Sequence, residues 1–316
     1  MFRVYLPQDI PEIGKEILRR NNVFFHIAEY SDEETTARNI ADYDAIIVRT
    51  APISEHVIRK AENLKIISKQ GVGLDNVNLD ACKKRKIWVT IAKGANTVSV
   101  AEHAVMLMLA LIKKTHQSDQ AIRDGKWALR HQLPSYEMNG KTVALFGTGA
   151  IGQRVAAICH EGFQMRVIGY DPFPPINLPS YIEMVDFSDE LFKRADILSL
   201  HCPLTPKTQH LINRKTLGLM KRSALIVNTS RGEVINESDL YNALVHRQIS
   251  GAGLDVFEAE PPDKTNPLLE LKNCVFSPHF AALTKEATER MAICAADAVV
   301  SVKHGNQPDF PVVLGQ

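Results

Sequence analysis

Val143-Ala144-Leu145-Phe146-Gly147-Thr148-Gly149-Ala150-Ile151-Gly152, running on to Tyr170-Asp171, is the stretch from which the fold is read. Val143 to Phe146 is a short apolar run of the kind that forms a buried parallel strand. Gly147, Gly149 and Gly152 follow at G-x-G-x-x-G spacing, and residues 151–162 read as a helix. A second, mostly apolar run from Met165 to Tyr170 ends at Asp171, about 20 residues beyond Gly152. Each position answers a physical need. Gly147 permits the tight turn out of the strand, Gly149 lets the backbone approach a pyrophosphate, and Gly152 lets the helix pack closely on the sheet. The helix N-terminus offers unpaired N–H groups and partial positive charge to the phosphates. Asp171 would accept hydrogen bonds from a ribose 2′-OH and repel a 2′-phosphate. Pro172-Phe173-Pro174-Pro175 brings no Arg to hold such a phosphate, so the expected cofactor is NAD rather than NADP.

Working outward, 316 residues are enough for two domains of ordinary size. A hydrophobic share of 45% fits a soluble globular chain. The net charge of +1, with both signs mixed along the sequence, leaves no nucleic-acid footprint. The five cysteines (Cys82, Cys159, Cys202, Cys274, Cys294) are odd in number and scattered without C-x-x-C. That argues against a disulfide framework and a metal site, and fits a reducing cytoplasm. The N-terminus begins a strand and lacks the apolar core of a signal peptide. The longest apolar run, Ala104 to Ile112, is far short of the ~20 residues a membrane span needs.

Residues 1–92 alternate strands (Arg3–Leu6, Val23–Ala28, Ala45–Val48, Lys65–Ser68, Ile87–Thr90) with helical patterns at 11–21, 34–40, 54–62 and 77–85. Such alternation implies a parallel sheet covered on both faces. Arg49 follows Ile46-Ile47-Val48, at a strand's carboxyl end, where α/β folds place ligands. Lys69-Gln70-Gly71-Val72-Gly73 is a glycine turn after another strand. Its backbone N–H groups either reach a substrate carboxylate or simply make a strand-to-helix turn. Residues 96–124 form one long helical pattern, for which Thr97, Ser99 and Glu102 offer capping and first-turn acidity. After Asp171 strands are expected at Ile197–Leu200, Ala224–Val227, Gly251–Leu254 and Cys274–Phe276, and helices near 188–194, 215–220, 236–246 and 284–304. The fold class is therefore α/β. Residues 100–283 form a Rossmann dinucleotide-binding domain, inserted into a smaller domain made from 1–99 and 284–316, with a small-molecule substrate expected in the cleft between them.

Arg231, Glu260 and His279 each follow a strand of the dinucleotide domain. Their chemistry is mutually consistent. Oxidising a 2-hydroxy acid needs a base for the hydroxyl proton while hydride leaves carbon 2, and a His titrating near neutrality suits that role. A neighbouring Glu would raise the pKa of that His and fix its tautomer. An Arg would hold the substrate carboxylate through two parallel hydrogen bonds.

These motifs carry a resemblance. Gly147–Gly152, His201-Cys202-Pro203-Leu204-Thr205-Pro206-Lys207-Thr208, Asn228-Thr229-Ser230-Arg231-Gly232, Leu254–Pro261 and Pro278-His279 resemble the D-isomer-specific 2-hydroxyacid dehydrogenases. So does Gly94–His103 at the head of the long helix. The resemblance implies a flavodoxin-like substrate domain and a homodimer built around the long helix. It gives Arg231, Glu260 and His279 the roles just argued. It puts Ala150, Ile151, Asp171, Cys202 and Asp255 against the cofactor, with Pro203, Thr208, Thr229 and Ala281 nearby. Arg49, Lys69, Gly71, Val72, Gly73 and Arg231 are its substrate-binding set. Within the family the chain is most similar to the catalytic core of the 3-phosphoglycerate-oxidising members, with hydroxypyruvate or glyoxylate as second candidate substrates. An NAD-sensing corepressor is the reading from another class. Two departures weigh against a phosphorylated substrate. Lys69 stands where many relatives have Arg, which trades a bidentate fork for a point charge, and the turn after His279 carries Phe280 and Leu283.

Overall fold

The computed structural model describes residues 1–315 and divides into two α/β units, Met1–Asn96 with the segment from Leu283 onward, and Thr97–Ala282. The chain opens with β1 (Arg3–Leu6), α1 (Glu12–Arg20), β2 (Phe24–Ile27), α2 (Glu33–Asn39), β3 (Ala45–Val48), α3 (Glu55–Lys60), β4 (Ile66–Lys69), α4 (Leu79–Arg85) and β5 (Trp88–Ile91). Helix starts follow local chemistry. The side chains of Asp32, Ser54 and Asn78 accept backbone N–H groups in the first turns of α2, α3 and α4.

The second unit begins with α5 (Thr97–Ile112) and α6 (Thr115–Arg123). The single helix expected over 96–124 is thus two. Lys114 adopts the left-handed conformation (φ 57°) and breaks the hydrogen-bond ladder where neither Gly nor Pro marks the sequence. There follow β6 (Thr142–Phe146), α7 (Ala150–Ala157, extended by a π turn to Gly162), β7 (Arg166–Tyr170), β8 (Ile182–Met184), α8 (Ser188–Arg194), β9 (Ile197–Leu200), α9 (Arg214–Leu217), β10 (Leu225–Asn228), α10 (Glu237–Val245), β11 (Gly251–Leu254) and β12 (Cys274–Phe276).

These seven strands form one parallel sheet in the order β12-β11-β10-β9-β6-β7-β8, the doubly wound Rossmann arrangement. Strands β9, β10 and β11 are buried along their whole length, as expected of strands covered on both faces. The register aligns their ends. Phe146 pairs with Tyr170 and Leu200, Asn228 with Leu200 and Leu254, and Leu254 with Phe276. Loops starting at residues 147, 171, 201, 229, 255 and 277 therefore all leave one edge of the sheet.

The chain then returns to the first unit as α11 (Lys285–Lys303), capped by Thr284, and β13 (Pro311–Val313). That sheet runs β13-β5-β4-β3-β1-β2, parallel except for β13, which pairs antiparallel with β5. The five parallel strands have the flavodoxin-like order. β8 and β13, three residues each, lie outside the strands expected from the sequence. Among the described residues no helix is long and apolar enough to cross a membrane.

Candidate active site

Gly147 leaves β6 with φ 100°, a conformation open to glycine. A Cβ on Gly152 would lie 2.2 Å from the Gly147 carbonyl oxygen, so the start of α7 sits directly on the turn. A Cβ on Gly149 would meet nothing within 4 Å. The loop is thus closed toward the sheet at Gly147 and Gly152 and open at Gly149, the N-cap of α7, with Ala150 exposed and Ile151 half-buried beside it. Asp171 stands at the end of β7. It accepts the Thr148 N–H (2.9 Å) on Oδ2 and the Phe173 N–H (2.9 Å) on Oδ1, while remaining partly exposed. Oδ2 also accepts the Thr148 hydroxyl (3.4 Å), and Oδ1 keeps a lone pair for a ribose hydroxyl. An open glycine cradle at a helix N-terminus with an acid beside it fits a dinucleotide.

The next loops complete this edge. After β9, His201 bonds Ser199 (2.9 Å) and burial pushes its pKa down to about 4, so it is neutral. Cys202 is buried, which raises its thiol to about 12 and leaves it inert. The Thr208 hydroxyl donates to the Pro203 carbonyl (2.7 Å) and shapes the turn between them. After β10, Asn228 ties down the bend, accepting from the Ser230 N–H (3.0 Å) and donating to the Arg231 carbonyl (2.8 Å). The Thr229 hydroxyl is buried at this edge with no protein partner. A Cβ on Gly232 would overlap the Phe257 carbonyl (1.9 Å), so the Arg231 loop lies in backbone contact with the loop that carries Glu260.

His279 and Glu260 meet as the sequence suggests, with Nδ1 2.7 Å from Oε2. Glu260 Oε1 also accepts the Phe257 N–H (3.2 Å). The Glu260 bond raises the His279 pKa above its ordinary value, against the opposing effect of burial. Burial by itself would raise the Glu260 carboxyl. The His279 bond and charge, the Phe257 N–H and the Arg231 charge outweigh that and hold it below the usual carboxylate value. Both side chains are partly exposed, 48% for His279 and 38% for Glu260, so a reactant can reach the imidazole. The other ring nitrogen, Nε2, is left for it.

The turn bearing His279 wraps around Asp255, which is 1% exposed. Its oxygens accept from Ser277 Oγ (2.5 Å), Phe280 N (2.8 Å) and Ala281 N (2.9 Å). Asp255 therefore lies beneath the turn, holding its shape, and the buried Ala281 forms its far end. The sequence singled out neither Ser277 nor His103 for the site. Ser99, read there as a helix cap, instead donates to the Ala281 carbonyl (2.5 Å).

In the other unit, Lys69 ends β4 and is 8% exposed. Its ammonium points inward, to the Arg49 carbonyl and to Asn76 Oδ1 (2.5 Å). Arg49 is half-buried, and Gly71, Val72 and Gly73 follow as an exposed or partly exposed turn. Among the described residues no group of three or more His, Cys, Asp or Glu is placed to hold a metal ion.

Residues 105–281 match the family described as D-isomer specific 2-hydroxyacid dehydrogenase, NAD binding domain. The chain belongs to this family. Its second unit is accordingly an NAD-binding domain. Over 306 residues, 96% of the chain, it is 37% identical to the D-3-phosphoglycerate dehydrogenase of Archaeoglobus fulgidus, and it spans 58% of that protein's length. Over 296 residues it is 38% identical to the hydroxypyruvate reductase of Thermotoga maritima, covering 92% of this chain and 95% of the relative. The crystal structure of the TT0316 protein from Thermus thermophilus superposes with a TM-score of 0.92 at 33% identity, over 99% of this chain and 100% of that one.

Proposed function

We propose that this D-2-hydroxyacid dehydrogenase family member is an NAD-dependent oxidoreductase that interconverts a D-2-hydroxy acid and its 2-oxo acid. The observation that carries the reading is the His279–Glu260 pair at 2.7 Å, on the same sheet edge as Arg231 and the glycine loop. Residues 147–152 and Asp171 hold the dinucleotide, with Cys202, Pro203, Thr208 and Thr229 lining its path. Bound NAD supplies the hydride acceptor. His279 keeps a proton on Nδ1 toward Glu260 and takes the substrate hydroxyl proton on Nε2. Glu260 stabilises the resulting imidazolium. Arg231 grips the carboxylate through two N–H donors and so fixes carbon 2 relative to the imidazole. In reduction the imidazolium returns that proton to the carbonyl oxygen.

For the substrate, 3-phosphoglycerate is the first candidate on the similarity of the whole chain. Hydroxypyruvate or glyoxylate is the second reading, favoured by the inward-turned ammonium of Lys69. Arg49 and the Gly71–Gly73 turn bind whatever group lies beyond carbon 2. We infer a homodimer through α5 and α7, where Met106, Leu109, Ile158 and Phe163 leave an apolar depression on the second unit. Its test is a sedimentation mass of one chain or two. The test of function is NADH consumption with 3-phosphohydroxypyruvate, hydroxypyruvate, glyoxylate and pyruvate. Turnover of at least one is expected; binding of NADH with no turnover of any would overturn the reading.

A further inference from the structure

His279 is held with φ 51°, in the left-handed region. For a residue with a Cβ that conformation costs roughly 1–2 kcal/mol and persists where the surroundings over-determine it. Here the surroundings are specific. The His279 N–H donates to the Asp255 carbonyl (2.7 Å), and the Asp255 carboxylate gathers the next two N–H groups and the Ser277 hydroxyl. Burial would raise that carboxyl, but hydrogen bonds from His103, Ser277, Phe280 and Ala281 keep it lowered, hence ionised.

Helix α5 reaches the turn at both ends. Its residues 99 and 103 are one turn apart and share a face. Ser99 Oγ donates to the Ala281 carbonyl, at the far end (2.5 Å). His103 Nε2 lies 2.7 Å from Ser277 Oγ and 3.4 Å from Asp255 Oδ1, at the near end. The chain of donors is complete when His103 carries its proton on Nε2, giving to Ser277, which gives to Asp255. The His103 ring also meets Phe280 edge-on, at 6.2 Å. Close approach of α5 depends on β11. A Cβ on Gly253 would lie 3.1 Å from the Leu107 Cβ, so a side chain there would press the helix away.

We propose that Ser99 and His103 are positioning residues that clamp the catalytic turn and fix His279 against Glu260. Both act through the turn to which they bond, and the inference rests on the function proposed above. Loosening the turn misplaces the imidazole, and a displacement of order 1 Å costs about a hundredfold in rate.

The test compares His103→Ala, His103→Gln and Ser99→Ala in the full chain. His103→Ala is expected to lower kcat about ten- to a hundredfold, with KM for the 2-oxo acid changed by less than about threefold. His103→Gln keeps an N–H donor and should recover most of the loss. A second readout needs neither dinucleotide nor turnover, namely the NMR titration of the His279 ring in the free protein. Glu260, Arg231 and Asp255 are the charged groups facing that ring. Loss of the clamp weakens the Glu260 bond and moves the midpoint down toward that of an ordinary imidazole. Unchanged kcat and midpoint in His103→Ala would overturn the proposal, as would a Gln variant as impaired as the Ala variant. Should His103→Ala not fold, Ser99→Ala, expected to lose about threefold to tenfold, carries the same test. Failure of the function reading looks different: wild-type protein turns over no acid while the His279 midpoint still responds to His103.

Discussion

The two units are built from the same materials and use the carboxyl ends of their strands differently. In Thr97–Ala282 the loops after β9 to β12 turn polar groups outward and bond them to one another. His279 and Glu260 stay partly exposed, while Asn228 and Asp255 lie buried behind them as anchors. In the first unit the one Lys at a strand end, Lys69, turns inward to the Arg49 carbonyl and Asn76. One sheet edge presents partly exposed, paired ionisable groups, the edge to which the proposed chemistry belongs. The other is arranged to hold the shape of its own loops. The expectation is that changes on the first edge alter turnover, and changes on the second alter which acid is accepted.

The largest effect tests the first half of that contrast. His279→Ala should lower kcat by about two to four orders of magnitude, as expected for loss of a general acid–base, with NADH affinity retained in a fluorescence titration. Near-normal kcat would break the assignment. The pH dependence sharpens it. His279 has a raised pKa because of Glu260, and reduction needs the imidazolium. Reduction should therefore be full at low pH and lost as pH rises through that raised value, while oxidation gains over the same window. Glu260→Gln should move the midpoint of the kcat/KM profile down toward the ordinary ~6.5 of histidine. A midpoint unmoved by the substitution would show that Glu260 does not set it. Arg231→Lys comes next. Exchanging the guanidinium fork for a point charge removes one of two charged hydrogen bonds, each worth ~1.5–3 kcal/mol, or about ten- to a hundredfold in kcat/KM. An unchanged kcat/KM would remove Arg231 from the carboxylate. Asp171→Ala should raise kcat/KM with NADPH relative to NADH by about tenfold, the scale of one such hydrogen bond. The unaltered ratio would refute the ribose contact.

Much of this edge was legible in the sequence because a parallel sheet converts chain order into place. Once strands are recognised, the residue after each strand is known to sit at one edge, and Arg231, Glu260 and His279 are found that way. What lies behind the edge was not legible. His103 meets Asp255 only because α5 packs against a strand of glycine, alanine, glycine and leucine, and no local period reports a contact between residues so distant in the chain. Ser99 illustrates the same limit. A Ser in the first turn of a helix reads as a cap, yet its hydroxyl goes to Ala281. The break at Lys114 was invisible for another reason. The left-handed residue there is a lysine, whose identity gives no sign of positive φ.

The smallest predicted effect addresses the second half of the contrast. Lys69 ends β4, paired in register with Val48 at the end of β3, so its ammonium links the two loops that start there. Lys69→Met keeps the length and apolar stem and removes the donor. The Arg49 carbonyl and Asn76 Oδ1 then lose that partner, at a cost of ~1–3 kcal/mol in unfolding free energy for under-satisfied buried acceptors. Arg49 and the Gly71–Gly73 turn lose definition with it. The expected kinetic signature is a KM for the 2-oxo acid raised about threefold to tenfold, with saturating kcat and NADH affinity unchanged. A fall in kcat at unchanged KM would place Lys69 with His279 and dissolve the distinction between the two edges. A change of preference among 3-phosphohydroxypyruvate, hydroxypyruvate and glyoxylate would sharpen it, because only an edge that selects the substrate can reorder the three acids while leaving the common chemical step intact.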